Sequence, residues 1–385
     1  MGDLVEELYR SHNIRTLVLT SQPHYGGDAE PAPSRESTTW GEIIRVAPLR
    51  GISRHSFLGR VLGFLWLTFQ FFLKTIKIGK TPCMIVSGNP PTLPLVALWL
   101  NRCRGERYHV LVDDIYPEAA VAVGKISDEG PVATVWHAFN RLLYAGSRGV
   151  ITLGEKMRSC IVGQHANLNI DVVPYWAPPP ISPKTKAESE FARNEGLMDT
   201  FVVLYSGNHG RLHNLEALIE AATELQDEPF TFVFVGSGAK KATIEKMTED
   251  RDLKNVRFYP YQPLEKVADV LASADASAVC LARGNEGLAL PSKLWGILAS
   301  ARPVLAFAED DSEISRVVAE GSCGVSISHE SGSACATSAL RDWQLNQDKR
   351  KQMGESGRRY QQRYHSVQSS AVLYAEIIRK TKSAN

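Results

Sequence analysis

Residues 201–238, FVVLYSGNHGRLHNLEALIEAATELQDEPFTFVFVGSG, decide the fold of this 385-residue chain. The apolar run Phe201–Tyr205 reads as a buried strand. It passes into a glycine-containing loop, an amphipathic helix over Asn214–Leu225, and a second apolar strand over Phe230–Val235. Strands without polar alternation, joined through a helix, are the repeating unit of a parallel sheet covered on both faces.

The alternation continues outward. Downstream, strands are predicted at Val256–Tyr259, Ala276–Leu281, Pro303–Phe307 and Gly324–Ile327. Helices fall between them at Lys240–Met247, Leu264–Ala272, Lys293–Ala299 and Ile314–Glu320. This is a doubly wound α/β pattern. Upstream, a helix at Asp3–His12 precedes strands at Asn13–Ser21, Trp40–Ala47, Cys83–Ser87, Tyr108–Asp113 and Val150–Leu153, with a loop holding Gly26 and Gly27. Helices at Leu95–Asn101, Ala119–Val123 and Ala133–Ala145 alternate with them, and Val172-Val173 closes this half. The reading is again a parallel sheet. The proline cluster over Trp176–Pro183 cannot continue a helix or a central strand and reads as a linker. Two Rossmann-like domains are therefore expected, at 1–177 and 178–365. The polar end, Arg341–Lys382, reads as helical, and 366–385 is a candidate to pack back on the first domain.

Composition agrees with an α/β protein of two domains. Hydrophobic residues are 44% and charged residues 22%, ordinary for a globular chain. A net charge of +1 speaks against nucleic-acid binding, which calls for a basic domain. The six cysteines contain no Cys-x-x-Cys pair, which excludes a zinc ribbon and suits a reducing, cytoplasmic compartment. Charge is unevenly spread. No acidic residue occurs between Glu42 and Glu106, while Arg45, Arg50, Arg54, Arg60, Lys74, Lys77, Lys80, Arg102 and Arg104 do. Within this stretch, Val61–Leu73 (VLGFLWLTFQFFL) is shorter than the ~20 residues of a spanning helix. It reads either as a buried helix with charged ends or as a segment of 45–80 lying on an anionic membrane surface.

Ligands of doubly wound sheets bind at the carboxyl ends of the strands. Three loops there look specialised. In Ser206–Asn214, Gly207 and Gly210 permit close backbone approach, the following helix offers N–H groups, and Arg211 suits a bidentate contact to a diphosphate. His209 and His213 read as solvent-exposed loop residues. In Val235–Gly238, Gly236 and Gly238 would either border a nucleotide or simply turn the chain. In Gly284–Lys293, Glu286, Gly287, Leu288 and Pro291 lead to Ser292, a candidate helix cap. Lys293 opposes the helix dipole unless it meets an anion. In the first half, Asp113-Asp-Ile-Tyr-Pro-Glu118 leaves a strand. Asp114 and Glu118 there suit hydroxyl positioning or proton transfer, with helix capping by Asp114 and a solvated Glu118 as the alternative. No His/Cys/Asp cluster has metal-ligand spacing. Neither a nucleophile elbow nor a P-loop occurs.

The pieces YSGNHGRLHN, FVFVGSGAKKATIEKM, NVRFYPY and LPSKLWGILASARPVLA resemble the donor domain of retaining family 4 glycosyltransferases of the GT-B fold. VDDIYPEAAVAVGK is similar to a stretch of a bacterial subgroup that builds surface polysaccharides and includes fucosamine-transferase-like enzymes. The resemblance implies two Rossmann-like domains facing across a cleft and transfer with retention, without a metal or other cofactor. It implies a nucleotide-sugar donor, UDP- or GDP-linked, and a glycan acceptor. Gly207, Asn208, Arg211 and Lys293 would hold the diphosphate, Gly238 and the Glu286 loop would border sugar or nucleoside, and Asp114 and Glu118 would face the acceptor. The wider family carries a Glu-x7-Glu pattern whose positions here are Leu288 and Gly296. Family members also open with an apolar strand and a glycine-rich loop, whereas this chain opens at the helix that follows them.

The expected function is sugar transfer from a nucleotide-sugar to a lipid-linked saccharide in cell-surface polysaccharide synthesis, in the cytoplasm or peripherally on the inner membrane. Arg211 and Lys293 would stabilise charge on the leaving diphosphate. A sugar-nucleotide epimerase and a catalytically inactive sugar-nucleotide-binding subunit are the rival readings.

Overall fold

The computed structural model describes residues 1–22, 32–49, 57–165, 167–177 and 181–383. Gly26, Gly27, Arg50, Arg54 and the prolines 178–180 lie outside the described residues. The chain divides into two compact units. Unit 1 is Met1–Pro174 with Val367–Asn385, and unit 2 is Tyr175–Ser366.

Unit 1 runs α1 (Gly2–His12), β1 (Thr16–Ser21), β2 (Arg35–Thr38), β3 (Gly41–Val46), α2 (Phe57–Lys77), β4 (Met84–Ser87), α3 (Pro94–Arg104), β5 (Tyr108–Leu111), α4 (Glu118–Ala122), α5 (Pro131–Gly146), β6 (Gly149–Thr152), α6 (Glu155–Gln164) and β7 (Ile170–Val172). Among the described residues its strands form two sheets, not the single parallel sheet that alternation predicts. One has the order β1-β3-β2, the other β4-β5-β6-β7. β2 runs antiparallel to β3, with Arg35 opposite Ile44. β2, REST, carries no apolar run, so periodicity gives it no signal. β5 and β6 are buried at every position, as central parallel strands are. Leu19 of β1 and Met84 of β4 both pack on the cluster of Val46, Phe71, Val96 and Leu100. The apolar run 61–73 lies inside the longer helix α2, in which Phe71 is buried but Leu65 and Phe69 are exposed. The buried-helix reading of that run is therefore set aside. Among the described residues no helix is long and apolar enough to cross a membrane.

Unit 2 runs α7 (Glu190–Asn194), β8 (Phe201–Ser206), α8 (Glu216–Glu224), β9 (Phe230–Val235), α9 (Lys241–Asp250), β10 (Val256–Tyr259), α10 (Val267–Ala272), β11 (Ala276–Cys280), α11 (Lys293–Ala299), β12 (Val304–Phe307), α12 (Glu313–Glu320), β13 (Gly324–Ile327), α13 (Gly332–Leu345) and α14 (Gln347–Tyr364). The sheet order is β10-β9-β8-β11-β12-β13, and every pairing is parallel. Alternate residues of one strand feed opposite cores. Phe230, Phe232 and Phe234 enter one cluster with Leu218, Ile219 and Trp343. Val233 and Val235 enter the other with Leu294, Trp295 and Val317. Each such side chain, fully removed from water, contributes about 1.5–3 kcal/mol.

The polar end is helical, as expected, and is divided among three helices. Asn346 (φ −116°, ψ 77°) separates α13 from α14, and His365 (φ −129°, ψ 37°) ends α14. The last helix, α15 (Val367–Ser383), belongs to unit 1 and packs on α1. Thr381 holds it there. Its carbonyl accepts from Arg107 Nη1 at 2.6 Å, and its hydroxyl meets His109 Nε2 at 2.7 Å.

Candidate donor-binding site

The strand order of unit 2 reverses between β8 and β11. Successive strands after β8 go one way, and those after β11 go the other. Two loops diverge at this switch point, 207–215 after β8 and 281–292 after β11. Such a divergence opens the crevice in which doubly wound folds bind ligands.

The two glycine loops of this end interlock. Gly207 N–H donates to the Val235 carbonyl at 2.8 Å, and His209 N–H to that of Ser237 at 2.9 Å. Gly236 has φ 138°, and a Cβ there would lie 2.0 Å from the Gly207 oxygen. The Val235–Gly238 turn is thus glycine-rich because it backs the 207–210 loop. Loop-to-loop contact, rather than approach to a ligand, explains Gly236, and the same holds for Gly238 against Asn208 and His209. Asn208 and Arg211 stand exposed at the rim, and Gly210 lies against Asn208 and His213.

Behind the loop sits a cationic and aromatic cluster. Lys293, the first residue of α11, sends its ammonium under Gly207, whose Cβ position is 3.3 Å from Lys293 Cε. Lys293 Nζ lies 3.8 Å from the centre of the Tyr205 ring and donates to its hydroxyl. That hydroxyl in turn donates to the Asn208 carbonyl at 2.8 Å. The ammonium thus meets a π face and a phenol in place of a carboxylate. Desolvation pushes the Lys293 pKa down to about 7. His209 is fully buried and His213 partly so, both held down to about 4 by burial and by the nearby Lys293. His213 Nδ1 meets the Cys280 carbonyl at 2.9 Å. The expectation of solvent-exposed histidines is corrected. The loop folds inward over β8, so the rings fill space beside Tyr205 and Phe234.

In the third loop, Gly284 and Gly287 have φ near 81° and 82°. Glu286 Oε1 accepts from Gly284 N–H at 3.2 Å, turning this carboxylate back on its own loop. Leu288 N–H donates to Asn285 at 3.1 Å, and Pro291 is buried. Ser292 occupies the N-cap of α11 but makes no side-chain cap hydrogen bond, because its own backbone is already helical (φ −60°, ψ −20°). The capping expectation is therefore corrected. At Gly296 a Cβ would meet Ile181 at 3.3 Å and Leu271 at 3.7 Å, so this position faces apolar packing.

In unit 1, Asp113 and Asp114 follow β5. Burial raises both, and Asp114 reaches about 6 with Asp113 adding repulsion. Ser87 Oγ donates to Asp113 at 2.9 Å. Tyr116 stacks on Trp136 at 5.4 Å. Glu118 accepts from Gln164 at 2.7 Å, 3.8 Å from His137 Nδ1. It is a partnered side chain, and the solvated reading is corrected. Capping by Asp114 is also corrected, since the N-cap of α4 is Pro117. Among the described residues no group of three or more His, Cys, Asp or Glu is placed to hold a metal ion.

Sequence reasoning did not find Tyr205 or the burial of His209. Tyr205 ends an apolar run and carries no local sign that its hydroxyl meets a lysine 88 residues away.

Comparison with known proteins bears on the fold and the family. Residues 187–360 match the family described as Glycosyl transferases group 1. The chain is 29% identical over 330 residues to the putative colanic acid biosynthesis glycosyl transferase WcaI of Escherichia coli (strain K12), covering 82% of this chain and 80% of that protein. Among solved structures, it is similar to sucrose-phosphate synthase from Thermosynechococcus elongatus, with TM-score 0.77, 16% identity, and coverage of 99% of this chain and 92% of that one. It is also similar to Anabaena Alr3699/HepE in complex with UDP and glucose, with TM-score 0.68, 13% identity, and coverage of 88% and 86%. The fold is the two-Rossmann, GT-B type, and the matches support a group 1 glycosyltransferase.

Proposed function

We propose that the protein is a retaining glycosyltransferase that moves a sugar from a nucleotide-sugar donor to a lipid-linked saccharide during cell-surface polysaccharide synthesis. The observation that carries this reading is Lys293. It is a desolvated ammonium held beneath Gly207 at the switch point, with no carboxylate partner among the described residues. An ammonium so placed lacks counter-charge, and a diphosphate supplies it. Arg211, exposed on the same loop, adds a bidentate contact. Gly207, Asn208 and Gly210 line the diphosphate, Gly236 and Gly238 back that loop, and Glu286–Ser292 border nucleoside and sugar. UDP- or GDP-sugars are the donors we assign. The neighbour in complex with UDP and glucose supports this substrate class, and the relative WcaI supports a role in polysaccharide synthesis.

In this reading Arg211 and Lys293 offset the charge growing on the leaving diphosphate. Turnover therefore does not depend on a divalent ion, and chelation leaves it unchanged. Asp114, raised toward neutrality, and Glu118 serve the acceptor hydroxyl. The protein acts in the cytoplasm, peripheral to the inner membrane.

Thermal melting against UDP-, GDP-, ADP-, CMP- and dTDP-sugars tests the donor assignment. One nucleotide is expected to raise Tm by mass action, and Arg211→Ala to lower transfer by roughly a hundredfold. No shift with any donor, or near-normal transfer by Arg211→Ala, overturns it.

A further inference from the structure

One surface of unit 1 takes no part in the chemistry above. α2 packs on α3 and α3 on α5, and these three helices contain no aspartate or glutamate. Their outer faces are apolar. On α2 the exposed large side chains are Leu62, Leu65, Phe69, Leu73 and Ile76, with Phe69 51% exposed. At 3.6 residues per turn they fall within about 80° of arc, one continuous stripe. Trp99 of α3 extends it, partly exposed and edge-on to Phe72 of α2 at 4.7 Å. On α5, Val135 is 69% exposed and Leu142 52%. Scattered apolar residues are ordinary on a surface. A stripe along one helix, continued by the tryptophan of the helix packed on it, marks an interaction face.

The charge says what covers it. Lys74 and Lys77 border one side of the α2 stripe, and Lys80 and Arg102 are exposed nearby in sequence on the same two-helix layer. The acid-free stretch from 43 to 105 leaves these cations without local carboxylates. Leucines and a tryptophan flanked by lysines suit the boundary between acyl chains and anionic headgroups, where the lysine stems extend to phosphate. No described helix can span the bilayer, so the mode of attachment is interfacial.

We propose that the α2–α3–α5 layer docks unit 1 on an anionic phospholipid surface, with α2 lying in the plane of the headgroups. The proposal rests on the peripheral-membrane reading given under the proposed function and names the surface it would use; it is independent of the donor assignment, since its test reads no turnover.

The test is co-sedimentation of the full chain with phosphatidylglycerol/phosphatidylcholine vesicles and with phosphatidylcholine vesicles alone. Binding is expected only to the anionic vesicles, weakening as salt rises. Leu65→Glu/Phe69→Glu/Leu73→Glu should lose roughly a hundredfold in vesicle affinity. Lys74→Glu/Lys77→Glu, confined to exposed charge, should lose about tenfold. Thermal melting checks that both variants are folded. Three results overturn the proposal. The wild type ignores anionic vesicles at low salt, or both folded variants bind as it does. Alternatively, sedimentation shows a dimer that the triple variant dissolves, which assigns the stripe to a second copy of this chain.

Discussion

Lys293 and Tyr205 form a cation–phenol pair beneath the glycine loop of unit 2, with the ammonium 3.8 Å from the ring centre and donating to the hydroxyl. Tyr205 passes the contact on to the Asn208 carbonyl at 2.8 Å. A single chain of contacts therefore connects α11, the end of β8 and the loop that carries Arg211.

Lys293→Met should stabilise the protein while removing donor binding. Burial lowers this lysine from 10.5 to about 7. The unfolded chain thus holds a proton that the folded one sheds between those values, and the charged form opposes folding at and below neutrality. Removing it should add roughly 1–2 kcal/mol, or about 2–4 °C for each kcal/mol in a unit of this size. Melting with and without nucleotide-sugar reads both effects. A destabilised variant that still binds donor contradicts the assignment.

The same group sets a pH dependence for donor binding. A diphosphate favours charged Lys293, so binding raises its pKa. Below about 7 the lysine is already protonated and affinity is at its full value. Above that, each bound donor draws in a proton, and affinity declines by up to about tenfold per pH unit. Calorimetry above neutrality in buffers of different ionisation heat should show proton uptake. Lys293→Met should show none.

Unit 2 should be acid-labile. His209, His213 and His365 are each lowered from 6.5 to about 4, chiefly by burial. His365 is stacked on Trp295 at 3.9 Å. A histidine held neutral in the fold takes up its proton more readily when unfolded, so stability is lost as pH falls from 6.5 toward 4. Each contributes a slope of roughly 1.4 kcal/mol per pH unit in that window. Denaturant titrations across it should show the decline, and His365→Phe should reduce its slope.

Two glycines separate steric from conformational cost. Gly236→Ala places a methyl 2.0 Å from the Gly207 oxygen, a backbone atom that cannot turn aside. A loss of about 2 kcal/mol or more is expected, with donor binding impaired. Gly284 has φ 81° but open space around its Cβ position, so Gly284→Ala should cost only about 1 kcal/mol. Urea unfolding of the two variants measures the difference. Equal costs contradict the interlocked-loop account.

Thr381→Val should loosen α15 without disturbing unit 2. It removes the hydroxyl that meets buried His109 and leaves the backbone contact to Arg107 in place. Unit 1 should lose roughly 1–2 kcal/mol. Limited proteolysis near the carboxyl terminus should quicken while nucleotide-induced stabilisation stays unchanged.

The amino-acid sequence by itself determined the doubly wound architecture of unit 2. FVVLY and FTFVFV are apolar apart from the hydroxyls of Tyr205 and Thr231, and runs of this kind suit a strand covered on both faces. Order along the chain also put Gly207, Arg211 and Lys293 at strand-to-helix transitions, where ligands are held. Local pattern could not show which side chains meet. Tyr205 and Lys293 are 88 residues apart, and their pairing follows from β8 and β11 being neighbours at the reversal of strand order. Nor could it show that His209 points inward, that Gly236 exists to back Gly207, or that unit 1 divides into two sheets. The apolar run of α2 was legible, but its exposure was not. Periodicity records which residues share a face, whereas burial depends on what the rest of the chain sets against that face.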